Sequence, residues 1–226
     1  MSPVCSPRAS WLLRMVGLGL TLLLVLPWAA RADGLQSLQD FLQHSRSGRA
    51  EFVQKVTAPA REGQSPRVKT SRGQLAYQRP DQFRLEYLTP DPQLLVSDGR
   101  QFWHQDTDLQ QVTVRKWQSV LGSAPAALIL TASDLKALQG AFEIRALPDA
   151  DGLSWAELKP RTSEGTLRLL RVGLQGSGPA TRVAVLEFLD GFGQASRLEL
   201  SGFASTPQPP ALFVLTPPAG FQVLRP

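Results

Sequence analysis

The chain has 226 residues, a formal net charge of +5 and one cysteine, Cys5. Residues 1–32 hold three of the 24 basic residues and none of the 19 acidic ones, so the other 194 residues keep 21 basic against 19 acidic side chains, a net charge of +2. So small a net charge does not indicate nucleic-acid binding. Because Cys5 lies in the first segment, the remainder can form neither disulfides nor thiolate metal sites.

The first 32 residues have the three-part layout of a secretory signal peptide. Arg8 and Arg14 make the start basic, and the 16 residues of Met15–Ala30 are uncharged and rich in leucine. This run is shorter than the ~20 residues that span a membrane. Ala30-Arg31-Ala32 predicts cleavage after its last residue, which leaves residues 33–226 as one exported domain. The cleavage site has no cysteine to carry a lipid, so we expect a soluble periplasmic product; an uncleaved N-terminal anchor is the alternative.

One amphipathic helix opens the domain, with Leu35, Leu38, Phe41 and Leu42 at helical spacing. Apolar and polar residues then alternate, which predicts strands. These are Ala50–Val56, Val68–Tyr77, Phe83–Tyr87, Leu94–Ser97, Gln101–His104, Val112–Val114, Phe142–Ala146, Gly165–Leu174, Arg182–Leu189, Arg197–Gly202 and Phe213–Leu215. About ten strands separated by turns indicate a large, mostly antiparallel sheet.

The alternation stops between residues 119 and 138, where helices are predicted. Ser123 can cap a helix whose first turn tolerates Pro125, and Ser133 is a second candidate cap. Residues 126–130 are apolar on every side, so they must be buried or must cover something apolar. We therefore predict a lid over an apolar, concave sheet face.

The predicted cavity has two walls. The sheet wall comprises Phe52, Phe83, Leu85, Tyr87, Val96 and Phe102, and the lid comprises Pro125, Ala126, Ala127, Leu128 and Ile129. A core filled with side chains is the alternative.

Groups that perform chemistry are scarce, so we predict that the protein is not an enzyme and needs no metal or cofactor. The only histidines are His44, on the polar side of the first helix, and His104. Ser97, His104 and a nearby aspartate allow a hydrolase triad to be drawn, but no nucleophile elbow or oxyanion loop accompanies them. No HExxH motif or phosphate-binding glycine loop occurs.

Five segments form a specific ordered set. They are Phe52-Val53-Gln54-Lys55-Val56, the run from Gly73 to Leu85 containing Arg79-Pro80-Asp81-Gln82-Phe83, the run from Leu95 to Trp103 containing Val96-Ser97-Asp98-Gly99, Pro125-Ala126-Ala127-Leu128-Ile129, and Leu215-Thr216-Pro217-Pro218-Ala219-Gly220-Phe221. The set resembles the LolA family of outer-membrane lipoprotein carriers of Gram-negative bacteria, across nearly all of residues 33–226.

The resemblance implies a mainly β fold with helices: an open, half-closed antiparallel barrel whose apolar cavity lies under a helical lid. It implies a monomeric periplasmic carrier that receives lipoproteins from an inner-membrane ABC transporter and delivers them to an outer-membrane receptor. Arg79 corresponds to the family's lid latch, an arginine that bonds lid backbone and holds the empty cavity shut. Leu85 stands where many relatives have tryptophan, and Ala126 and Ala127 fill lid positions that are often bulky.

Three alternatives remain. The first is a protein of the same fold that carries or senses another lipid or lipoprotein; an anchored receptor is disfavoured by the missing cysteine. The second is a periplasmic hydrolase that uses Ser97 and His104. The third is a structural β domain without a cavity.

Overall fold

The computed structural model describes residues 33–60, 62–120, 125–162 and 166–226. The predicted signal peptide, Ser123 and Gly165 lie outside them. The helices are α1 (Gly34–His44), α2 (Pro125–Thr131) and α3 (Leu135–Ala141). The strands are β1 (Ser47–Ala58), β2 (Arg67–Gln78), β3 (Gln82–Thr89), β4 (Gln93–Asp98), β5 (Gln101–Asp106), β6 (Gln111–Lys116), β7 (Phe142–Ala150), β8 (Leu153–Pro160), β9 (Leu167–Gln175), β10 (Arg182–Asp190), β11 (Ala195–Ala204) and β12 (Gln222–Leu224).

The described strands form one open sheet in the order β12-β6-β5-β4-β3-β2-β1-β11-β10-β9-β8-β7. Every neighbouring pair is antiparallel except β12 and β6, which run parallel. Most pairs are hairpins between consecutive strands. The exception in the middle is β1 with β11, which joins the two halves of the chain. The prediction of a large, mostly antiparallel and open sheet is confirmed.

Helices cover one face of this sheet, which we call the inner face. Helix α1 begins where the Asp33 carboxylate accepts a hydrogen bond from the Gln36 amide at 2.8 Å, and it buries Leu38, Phe41 and Leu42. It contacts β7, β8 and β9, whereas α2 contacts β2 and β3. The two helices therefore cover different halves of the inner face.

The opposite, outer face carries a smaller apolar cluster under the C-terminal segment. Its buried members are Val96, Trp103, Val112, Val114 and Leu215. The predicted strand Phe213–Leu215 is wrong, because a 3₁₀ turn at Pro210–Phe213 occupies its start. Pro209 and Pro210 lack the backbone N–H groups that a strand ladder needs. Leu215 reaches the sheet through its side chain rather than through strand pairing.

Two other local predictions are corrected. Asp134, not Ser133, caps α3, since its carboxylate accepts a hydrogen bond from the Ala137 amide at 2.7 Å. Strands β8 and β12 were not predicted. In β8 the four residues 155–158 are all buried, so apolar and polar positions do not alternate in the way that identifies a strand.

Glu157 is a buried charged residue of β8. On the outer face its carboxylate accepts hydrogen bonds from Arg145 Nε at 2.7 Å and Arg171 Nε at 2.9 Å, and its side chain is 7% exposed. Burial by itself raises the pKa of Glu157, but the hydrogen bonds from Arg171 and Arg145 outweigh it, so the pKa lies below its ordinary value.

A carboxylate whose pKa is depressed by folding stabilises the fold above its unfolded pKa, and this contribution is lost as the pH falls. We therefore expect Glu157→Gln to lower the free energy of unfolding at pH 7 by about 1–3 kcal/mol, with a smaller difference from the wild type at pH 3. Urea unfolding across that pH range measures both values. Glu62→Gln, at an exposed turn residue, is the control; an equal loss in that variant would contradict the role of Glu157.

Candidate functional site

A cavity of about 230 Å³ lies between the inner face and α2. Its lining comes from β1, β3, β4, β9, β10, β11, α2, the loop before β9 and the turn between β10 and β11. The lining residues are Gln54, Phe83, Leu85, Tyr87, Leu95, Pro125, Ala126, Ala127, Thr166, Leu167, Phe188, Asp190, Gln194, Ser196 and Leu198. Most of them are apolar, so the cavity can accommodate hydrocarbon.

Strand alternation sets the apolar wall. Phe83, Leu85 and Tyr87 occupy alternate positions of β3, so their side chains share the inner face. In β4, Leu95 pairs with Leu85 and extends the same wall. Small side chains at Ala126 and Ala127 on α2 leave the space between helix and sheet unfilled, because neither reaches the strands as a larger residue would.

Six of the predicted cavity residues line the cavity: Phe83, Leu85, Tyr87, Pro125, Ala126 and Ala127. Phe52, Phe102, Leu128 and Ile129 belong to the main core or pack against it, without lining the cavity. Phe52 stands edge-on to the Tyr87 ring, with centroids 5.1 Å apart, and Phe102 packs against Phe83 at 6.2 Å. Both phenylalanines therefore pack against residues that line the cavity.

Val96 is the residue whose predicted face is wrong. It pairs with Arg84 and Trp103, and it is fully buried in the outer-face cluster. The register of β4 against β3 places Leu95, rather than Val96, on the face of Leu85. Because side chains alternate, an error of one residue in register moves a side chain to the opposite face.

The prediction missed the part of the cavity formed by the second half of the chain. Leu167, Phe188 and Leu198 lie on β9, β10 and β11, and they reach the cavity because β11 pairs with β1. The sequence predicted a strand at Arg182–Leu189, but its pattern contained no signal that this strand contributes to the same cavity as β3.

Polar groups occupy one side of the cavity. The Tyr87 hydroxyl donates a hydrogen bond to Gln54 Oε1 at 2.7 Å, and Thr166, Gln194 and Ser196 lie on the same lining. Burial raises the pKa of Tyr87 to about 12, so its hydroxyl remains protonated and can donate.

Arg79 joins the end of α1 to α2. Its Nη1 donates hydrogen bonds to the carbonyl oxygens of Phe41 at 3.2 Å and Leu42 at 3.1 Å and also to that of Ser45; its Nη2 donates to the Ile129 carbonyl at 3.4 Å. The residue is 9% exposed. Three of the four bonds reach the C-terminal end of α1 and one reaches α2, whereas the resemblance implied bonds to lid backbone.

The Arg79 guanidinium also lies over the Phe41 ring, 4.6 Å from its centroid. Burial lowers the pKa of Arg79 to about 10, so the side chain stays charged at neutral pH. Burying a cation is costly unless its donors and its charge are compensated. The helix-end carbonyls and the aromatic ring provide this compensation for the two Nη groups, whereas the buried Nε has no hydrogen-bond partner among the described residues.

Ser97 and His104 do not form a catalytic pair. The Gly99 amide donates to Ser97 Oγ at 3.1 Å, and His104 Nε2 lies 3.3 Å from Gln93 Oε1. In the sheet register, Ser97 pairs with Phe102 and His104 with Leu95. Neither side chain is hydrogen-bonded to the other, so this geometry does not support the hydrolase alternative.

The described residues contain no cluster of histidine, cysteine and carboxylate side chains able to hold a metal ion. Within the same ranges, none of the helices has both the length and the hydropathy needed to cross a bilayer.

Comparison with known proteins agrees with these observations. The sequence profile of the family described as "Outer membrane lipoprotein carrier protein LolA" matches residues 43–216. Two proteins named outer-membrane lipoprotein carrier protein are similar. One, from Albidiferax ferrireducens, is 48% identical over 87% of this chain and 92% of its own length; the other, from Methylibium petroleiphilum, is 44% identical over 87% and 91%.

The fold also resembles that of an uncharacterized conserved protein from Thermus thermophilus, with a TM-score of 0.51 and 14% identity over 84% of this chain and 97% of the other. At that identity the likeness concerns the fold alone. The match over residues 43–216 and the relatives at 48% and 44% identity show that the chain belongs to the LolA family of outer membrane lipoprotein carrier proteins.

Proposed function

We propose that this member of the LolA family is a periplasmic carrier that binds the acyl chains of lipoproteins in the cavity under α2. In this proposal the carrier collects its cargo at an ABC transporter of the inner membrane and delivers it to an outer-membrane receptor. Residues 1–32 act as the cleaved export signal. The apolar lining between β3 and α2 is the observation that carries the proposal.

The size of the cavity requires the lid to move. A lipoprotein with three acyl chains has on the order of 40 methylenes, each worth ~0.8 kcal/mol when buried. The cavity of about 230 Å³ is below the ~300–1,000 Å³ of pockets that hold drug-sized molecules. The described conformation therefore corresponds to the closed form of the carrier, and cargo enters as α2 moves away from β3. Such opening exposes the apolar wall only when cargo is there to cover it.

The hydrogen bonds of Arg79 support its role as the lid latch. They connect the Ile129 carbonyl of α2 to the end of α1, which is packed on the sheet. Moving α2 breaks the bond to Ile129, so Arg79 stabilises the closed form relative to the open one.

A charge placed in the apolar wall tests the proposed site. We expect Leu85→Asp to carry at least about tenfold less lipoprotein than the wild type, because burying acyl chains beside a carboxylate removes its hydration. Leu88→Asp is the matched control, since Leu88 lies on the same strand, on the other face, and is 50% exposed.

The measurement is the amount of lipoprotein that copurifies with each variant from the periplasm, together with the affinity for a neutral apolar dye. Leu85→Ser, a milder change, covers the case in which the aspartate variant fails to fold. Equal loading of the Leu85 and Leu88 variants would contradict the proposed site. A wild-type protein that carries only free phospholipid would favour a carrier for another lipid.

A further inference from the structure

The charges around the cavity suggest which lipids it accepts. Of the fifteen lining residues, one is acidic, Asp190, and none is lysine, arginine or histidine. Its uncharged polar neighbours are Gln54, Thr166, Gln194 and Ser196. These five residues come from β1, β10, β11, the turn between β10 and β11, and the loop before β9, and they form what we call the polar rim.

Three basic residues that adjoin lining residues in the sequence are not part of the lining. Lys55 follows Gln54, Arg197 lies between Ser196 and Leu198, and Arg168 follows Leu167. Lys55 and Arg197 line one hollow on the outer face, and Arg168 lines another. Arg197 is bonded there to Glu187 and Glu199. Alternation along β1 and β11 thus places Lys55 and Arg197 on the outer face. The Arg168 guanidinium lies beside Gly191, about 3.0 Å from where a Cβ of that residue would stand. The lining itself contains one acidic side chain and no basic one.

The Asp190 carboxylate is fixed in position at the rim. Its Oδ1 accepts hydrogen bonds from the backbone amides of Phe192 at 2.9 Å and Gln194 at 2.8 Å, within the turn that connects β10 and β11. The residue is half-buried. A lipid headgroup at this rim therefore meets a carboxylate that the turn holds in place.

We propose that the polar rim selects acyl chains attached to an uncharged or cationic group, and that Asp190 is the residue that discriminates against anionic, phosphate-bearing lipids. The inference rests on the proposed acyl-chain site. The side chains of the rim can form hydrogen bonds with the ester and amide linkages of a lipid; they are Gln54, Gln194, Ser196 and Thr166. A phosphate group has no basic side chain among the lining residues to pair with, and the Asp190 carboxylate repels it.

Lipids with the same acyl chain and different headgroups test this proposal. The probes are a monoacylglycerol, a lysophosphatidate and an alkyl trimethylammonium of equal chain length, each measured by displacement of a neutral dye from the full exported protein. We expect the lysophosphatidate to bind about tenfold more weakly than the monoacylglycerol, the size expected for two like charges at a partly solvated rim. High salt should reduce this difference.

Asp190→Asn keeps the amide-oxygen acceptor for the turn and removes the charge. In this variant we expect the affinity for lysophosphatidate, relative to that for the monoacylglycerol, to rise by about tenfold. Asp108→Asn makes the same change at an exposed residue between β5 and β6, and it should alter neither affinity.

The outcomes separate this inference from the function on which it rests. If no probe displaces the dye, the proposed acyl-chain site is wrong. If all three bind, but Asp190→Asn changes the affinity for lysophosphatidate no more than Asp108→Asn does, the site stands and the role of Asp190 is refuted.

Discussion

Replacing Arg79 by leucine is expected to give a folded carrier that binds acyl chains more tightly than the wild type and delivers them at least about tenfold more slowly. Hydrogen bonds to a charged group are worth ~1.5–3 kcal/mol each. The hydrogen bond from Arg79 to Ile129 exists only while α2 covers the sheet. Removing this bond therefore favours the open, loaded form. The carbonyls of Phe41 and Leu42 lose a donor as well, so some global stability should also be lost.

Transfer from the loaded carrier to vesicles that contain the outer-membrane receptor measures the rate, and dye binding measures the affinity. Arg46→Leu is the matched control. Arg46 is exposed near the end of α1, and its backbone carbonyl accepts a hydrogen bond from the Arg79 amide. Its side-chain charge acts on Arg79 only as a minor like-charge repulsion. Should Arg79→Leu lose stability yet transfer cargo at the wild-type rate, Arg79 would be a structural residue that anchors α1, and the latch would be refuted.

Gly73→Ala is expected to cost about 3 kcal/mol or more of unfolding free energy. Gly73 lies in β2 opposite Phe52 on one side and Tyr87 on the other, and the two rings meet over it. A Cβ at this position would lie 2.0 Å from the Glu86 carbonyl oxygen and 2.6 Å from the Phe52 ring. The ring can rotate, but the strand backbone cannot move without breaking the β2–β3 ladder.

Chemical unfolding measures this effect, and lipid loading should fall with it because Tyr87 lines the cavity. Gly140→Ala is the control. Gly140 lies in α3, with no atom within 4 Å of an added Cβ, so alanine there should stabilise the protein by about 0.5–1 kcal/mol. Equal stabilities of the two variants would show that the strands separate easily enough to accept a side chain at residue 73.

Sequence patterns were informative where a local period decides the structure. The spacing of Leu38, Phe41 and Leu42 predicted α1, and the all-apolar residues 126–130 predicted α2. Phe83, Leu85 and Tyr87 were correctly assigned to one face, because alternation within a single strand requires no knowledge of its neighbours. Val96 was assigned to the wrong face, since its orientation depends on which residue of β3 faces which residue of β4.

The sequence by itself determined the type of most elements, the apolar wall of β3 and the family, all of which are encoded by residues close together along the chain. Only the tertiary structure decided the rest. The β1–β11 pairing brings Asp190 and Gln194 to the same cavity as Phe83, and the fold directs Arg79 to the end of α1 as well as to α2. Strand partners, register and a buried guanidinium's acceptors depend on residues far apart in sequence, and no local periodicity specifies them.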